Sequence, residues 1–311
     1  MARPLHTAFL MQAVTTDVWA SEEKLHRELA AWNRRRLAPV VDDVAWELDI
    51  GDEQAWRLRE GRFVESERAQ LKLDVPTTAD GFVAWFARLR DEGPGQGDPL
   101  FPWLAQEASL SEMKWFLRQE LAGEAGFDDL VALTQLKLPA RPKLELARNY
   151  WDEMGQGHAS GMHGPMLDLL AEEVGLDTKN EVVWQSLALG NLMTAFAMNR
   201  RYAFQSVGAL GVIELTAPGR AALVNAGLKR LGITGEGRRY FALHATLDVK
   251  HSEAWNREVI GPLVEMDPRC ARPIAEGALL RLRAGARCFA RYRRELRARG
   301  VSEESSHARR S

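Results

Sequence analysis

Cysteine is nearly missing from this chain: Cys270 and Cys288 are the only two in 311 residues. A disulfide framework and a zinc ribbon are therefore both excluded. Charge of one sign is missing as well. The 41 basic residues against 43 acidic ones leave a net of −2, so nothing draws the whole molecule to polyanions, and a nucleic-acid or membrane-surface role would need a local patch. Long hydrophobic runs are also absent. The longest uncharged stretch, Val182 to Asn199, is interrupted by Gln185, Ser186, Asn191 and Thr194 and ends at Arg200-Arg201, which suits a buried helix better than a membrane span. Near the start, the apolar stretch Phe9 to Val14 is soon closed by Asp17 and is too short for a secretory signal. The expectation is a soluble cytoplasmic protein with no nucleic-acid and no membrane partner.

No segment sustains period-two alternation, and proline and glycine are scarce inside long stretches of Ala, Leu, Glu and Arg. The chain reads as all-α. Ser21 to Arg36 has a capping serine, two early glutamates and a terminal run of arginines, all matched to the helix dipole. Asp80 to Asp91 is a second helix, stopped by Gly93-Pro94-Gly95. That break divides the chain into an N-terminal, mostly helical extension over 1–95 and a helical bundle over 96–300, with a flexible polar tail over 301–311. Helices are expected near 109–124, 127–137, 141–154, 159–174, 180–200, 202–214, 218–231, 236–258 and 268–299. Five of the ten tryptophans (Trp19, Trp32, Trp46, Trp56 and Trp85) fall in the extension, as expected if it docks on the bundle or forms a homodimer contact.

The sharpest chemical signal is His244, Asp248 and His251, spaced i, i+4, i+7. They share one stripe of a helix over about 10 Å of axis. Two imidazoles flanking a carboxylate on one rigid face is what a transition metal needs, and a chance match is on the order of 0.02. A second cluster, Tyr150 to His163, holds Glu153 and His163 ten residues apart, about 15 Å in an unbroken helix. Gly155 and Gly157 lie between them and can break the helix and shorten that reach. His158 is the competing ligand, read as solvated or as support to the ligands. A third element, Met113 to Leu121, carries Glu120 at its apolar margin, with Glu124 one turn further on; spacing alone makes Glu120 a surface glutamate.

Together these elements resemble the haem-oxygenase-like dimetal oxidases and oxygenases, often labelled iron-containing redox enzymes. That family's pattern is a glutamate on one core helix, an acid followed by a histidine on a second, and His-x3-Asp-x2-His on a third. Here the third matches at His244, Asp248 and His251, the first at Glu120, and the second at Asp152, Glu153, Gly155, Gly157 and His163. The similarity runs from Asp98 to about residue 265. The resemblance implies a haem-oxygenase-like helical bundle and a metal site built from Glu120, Glu153, His163, His244, Asp248 and His251, with Glu120 at or near the bridging position. Many members carry a glutamate three residues before the second-helix histidine, where this chain has Ser160. Glu153 is expected to compensate.

Three neutral imidazoles and three carboxylates around two divalent ions leave a site charge of +1, which favours an anionic guest. The nitrogen and oxygen donors suit Fe(II), as two ions, with Mn(II) as the alternative; the lack of thiolate disfavours structural zinc. The implied function is O2-dependent oxidation of a small molecule by a non-haem di-iron enzyme, with no other cofactor and no catalytic residue named beyond the ligands. A metal-free enzyme on the same fold and a helical scaffold protein are the alternatives. Three further features carry less. Ten arginines in 269–299 read as a solvated basic face, Cys288 among them as a weak nucleophile candidate, and Glu23-x2-His26 as half of a ferritin-like motif.

Overall fold

Helix formers dominate each segment between the glycine and proline breaks, and helices follow. The computed structural model describes residues 22–41, 46–124, 126–176 and 182–307. The expected Ser21 cap and the Phe9 to Val14 stretch lie outside those residues. In order the helices are α1 (Glu22–Leu37), α2 (Trp46–Ala69), α3 (Ala79–Glu92), α4 (Leu100–Gln106), α5 (Leu110–Glu124), α6 (Phe127–Thr134) and α7 (Ala140–Glu153). They continue as α8 (His163–Glu173), α9 (Trp184–Met198), α10 (Ala203–Arg230), α11 (Arg239–Ala254), α12 (Gly261–Met266) and α13 (Ala271–His307). Among the described residues there is no strand, only an isolated bridge between Met154 and Met162. The fold is all-α.

α9 and α10 form the centre. α9 buries residues on every side, from Gln185 to Ala197, as an uncharged sequence without a polar face must. α10 packs against α11, α13 and α4. It meets α13 very closely: a Cβ on Gly208 would collide with the carbonyl of Ile274, and one on Gly277 with that of Gln205. The small residues of this stretch therefore serve helix approach. The helix Arg200–Arg230 is long and apolar enough to cross a membrane, but 61% of its most apolar window is buried inside the molecule.

The N-terminal helices pack on this centre. Asn33 of α1 donates a hydrogen bond to Asn191 of α9 at 2.9 Å. On α2, Arg68 and Glu67 pair with Glu276 (2.8 Å) and Arg287 (2.9 Å) of α13. Part of the arginine-rich face on α13 is thus neutralised inside the molecule.

Several helix limits differ from the sequence expectation: α13 continues to His307, where a helix to 299 and a flexible tail were expected, and α8 begins at His163 instead of near 159. α10 runs through Pro218 without a break, although proline removes one backbone donor and crowds the carbonyl four residues earlier; packing on three neighbouring helices holds both flanks in line. The segment expected as one helix over 236–258 is divided. α11 ends at Ala254, a π-helical turn spans Trp255–Ile260, and α12 follows. Such turns widen a helix locally and cluster near functional sites.

Candidate metal centre

Glu153 is the last residue of α7 and His163 the first of α8. Between them the chain reverses through Gly155 (φ 59°), Gln156 (φ 53°) and Gly157 (φ 87°). Positive φ favours glycine at the first and third of these positions, and a Cβ on Gly155 would also strike the backbone of Gly161. The reversal replaces a helical separation of about 15 Å with direct contact between the Glu153 carboxylate and Nδ1 of His163. Both side chains are buried.

The α11 stripe points inward. Asp248 and His251 are buried, and His244 is half-buried. The His244 and His163 rings lie 4.5 Å apart. Ligand atoms of Glu153, His163 and His244 fall within 4.8 Å of one another, and so do those of Glu153, Glu214 and His251. Glu153 belongs to both groups. Asp248 stands 3.9 Å from Nδ1 of His251 and faces the same cavity.

Surrounding groups orient these rings. Nδ1 of His244 lies 2.8 Å from the carbonyl oxygen of Tyr240. A proton on Nδ1 satisfies that contact and leaves Nε2 as a lone-pair donor, the usual arrangement of a metal-binding histidine. His251 has Asp152 at 3.1 Å from Nε2, with Asn149 at 3.2 Å and Glu214 at 3.4 Å from Nδ1. Asn149 also donates to Glu214 at 2.6 Å. Both ring nitrogens of His163 are buried without a hydrogen-bond partner, although Nδ1 abuts Glu153. Buried nitrogens of this kind require a partner, and a cation meets that requirement.

The electrostatics divide the site. Burial lowers His163 to about 4, and burial followed by the neighbouring His163 lowers His244 to about 4. Both imidazoles are neutral and ready to bind a metal at neutral pH. Burial alone would also lower His251, but hydrogen bonding and attraction from Glu214 and Asp152 outweigh it and raise the group to about 9. Burial, then the nearby Glu214 carboxylate, pushes Glu153 well above the ordinary range. Carboxylates crowded in this way are relieved by a divalent cation, and the donor set of imidazole and carboxylate suits Fe(II) or Mn(II).

Glu120 lies elsewhere on the same cavity wall. It is outside both three-residue groups; burial raises its pKa, which Arg220, Arg281 and a hydrogen bond from Tyr292 counter. The side chain of its alternative, Glu124, lies outside the described residues. His158 and Ser160 are exposed. Sequence reasoning missed Glu214 as a candidate ligand and Tyr240 as a neighbour of the His244 ring, at 4.1 Å. The signal for Glu214 was there: a lone acid inside the apolar run Val207 to Leu215 is buried at 2% exposure, which demands a partner. Burial pushes the Cys288 thiol up to about 12, which removes it as a nucleophile. His26 stacks on Trp184 at 5.5 Å while Glu23 pairs with Arg27, so that half-motif is ordinary packing.

The cavity measures about 140 Å³ and is walled by Phe116, Phe127, Leu189, Met193 and Val224, with Glu153, Glu214, His244 and Asp248 also facing it. It is a mostly apolar pocket with a few converging polar groups, the usual form of a small-molecule site.

Residues 114–286 match the family profile described as iron-containing redox enzyme. Among curated proteins no significant match is found.

Proposed function

The chain belongs to the iron-containing redox enzyme family, and from that premise we propose that it is a non-haem, di-iron oxidase or oxygenase that uses O2 to oxidise a small molecule. The observation that carries this reading is the sharing of one carboxylate: Glu153 converges with His163 and His244 on one side and with Glu214 and His251 on the other. One ion would be held by the first group. The second group, with Asp248 facing the same cavity, would hold the other. The carboxylate that Ser160 lacks is supplied from α10 by Glu214, and the shared position belongs to Glu153. Ferrous ions held there would supply the electrons that reduce O2.

The chain's own groups prepare the site. The Tyr240 carbonyl holds the His244 tautomer, and Asp152, accepting from Nε2–H of His251, leaves Nδ1 on the Glu214 side for a cation. Because His163 and His244 are neutral, no proton must leave them when a cation binds. At His251 a proton must leave first, so affinity should rise with pH toward about 9. The apolar walls exclude bulk water and strengthen electrostatic interactions inside the cavity.

Oxygen uptake tests the proposal. Protein loaded anaerobically with ferrous iron should consume O2 faster than the same iron free in buffer, and His163→Ala should lose that excess. Uptake no faster than that of free ferrous iron would contradict it.

A further inference from the structure

We propose that Arg220 binds the carboxylate of an aliphatic or aryl monocarboxylic acid whose apolar body occupies the cavity beside the candidate metal centre. Arg220 follows Glu214 on α10 by six residues, about 9 Å of helix axis, and both face the 140 Å³ cavity. Arg220 and Phe101 also line a second, outer cavity of about 390 Å³ bordered by Gly95 to Asp98, Pro218 and Ser252. The two side chains therefore form the partition between the surface and the metal end.

The guanidinium is held in place without being neutralised by contact. It sits 5.8 Å from the Phe101 ring and 5.6 Å from the Phe289 ring, and it donates to Thr216 at 3.1 Å. Among the described residues no carboxylate forms an ion pair with it; Arg281 and Glu120, which line the same cavity, repel and attract it respectively. Burial lowers its pKa to about 10, which leaves it charged at neutral pH. Of five N–H donors, Thr216 takes one. A planar fork in a water-poor setting matches a carboxylate in bidentate fashion. The cavity behind it is close to the roughly 150 Å³ that accommodates a benzene-sized guest, so one ring or a chain of about six carbons fits.

This inference rests on the proposed function only in taking the metal end as the reacting end; anion binding at Arg220 can be read with no metal present. Calorimetric titration of the full-length protein with 3-phenylpropanoate, and with 3-phenylpropan-1-ol as its neutral analogue, tests it. Both ligands are measured in chelator-treated and in anaerobic ferrous-loaded protein. The acid should bind at least about tenfold more tightly than the alcohol in both forms. Arg220→Gln should abolish that preference, and Arg220→Lys, which keeps the charge but loses the fork, should retain only part of it. Circular dichroism checks the fold of each variant, and the lysine variant carries the test if the glutamine variant does not fold. Equal binding of acid and alcohol by the parent protein would overturn the proposal. So would an acid preference that survives in both variants, or one that appears only with iron. Failure of the di-iron reading would be seen separately, as absent iron binding with the preference intact in chelated protein.

Discussion

The two groups that share Glu153 are built from the same residue types and yet behave oppositely. His163 and His244 face each other among apolar neighbours and are lowered to about 4, whereas His251, with Glu214 and Asp152 at its two nitrogens, is raised to about 9. Burial is the first cause at all three. The difference is the number of carboxylates in contact: the His163 side has Glu153 alone, and the His251 side adds Glu214, Asp152 and Asp248. A cation entering the first side meets two neutral imidazoles. On the second side it must displace a proton, and it gains a stronger negative field in return.

The largest perturbation removes what the two sides share. Glu153→Ala should weaken both ions by roughly 100-fold or more, and iron content after gel filtration should fall toward zero. Single-sided variants sharpen the contrast. His244→Ala should lose one ion and retain the one beside His251, and His251→Ala should do the reverse; unchanged iron content in His244→Ala would refute its assignment as a ligand. A smaller effect is expected from Asp152→Asn, which leaves the ligands in place but loosens the His251 ring. It should weaken the second ion by about 10- to 100-fold and leave the first unchanged in a competition titration with a chelator.

The smallest effect is on the stability of the metal-free protein. Folded His251 keeps its proton to about pH 9 while the unfolded group releases it near 6.5. Its contribution, on the order of 3 kcal/mol, is complete below about pH 6.5 and is lost as pH rises toward 9. His163 and His244 act in the other direction. They stay neutral down to about pH 4 when folded, so the unfolded chain gains protons first and stability falls as pH drops from 6.5 toward 4. Urea unfolding across this range should show both limbs, and His251→Ala should remove only the alkaline one.

Much of the site was legible because local rules set it. The i, i+4, i+7 stripe on α11 needed only helical period, and the return from Glu153 to His163 needed only the glycines that permit positive φ. Glu120 was less legible, because spacing does not say which direction a helix turns toward its neighbours; α5 aims it at Arg220, Arg281 and Tyr292. Glu214 was visible as an acid in an apolar run, but its partner, Asn149, is 65 positions away in sequence. The same limit applies to Pro218. Local rules end a helix there, and packing against α4, α11 and α13 carries α10 through.

Anomalous scattering at the iron edge, from crystals loaded anaerobically with ferrous iron, tests the shared carboxylate most directly. The account expects two peaks that both neighbour Glu153, one beside His163 and His244, the other beside Glu214 and His251. Peaks outside this cavity, or two ions with no carboxylate in common, would contradict it.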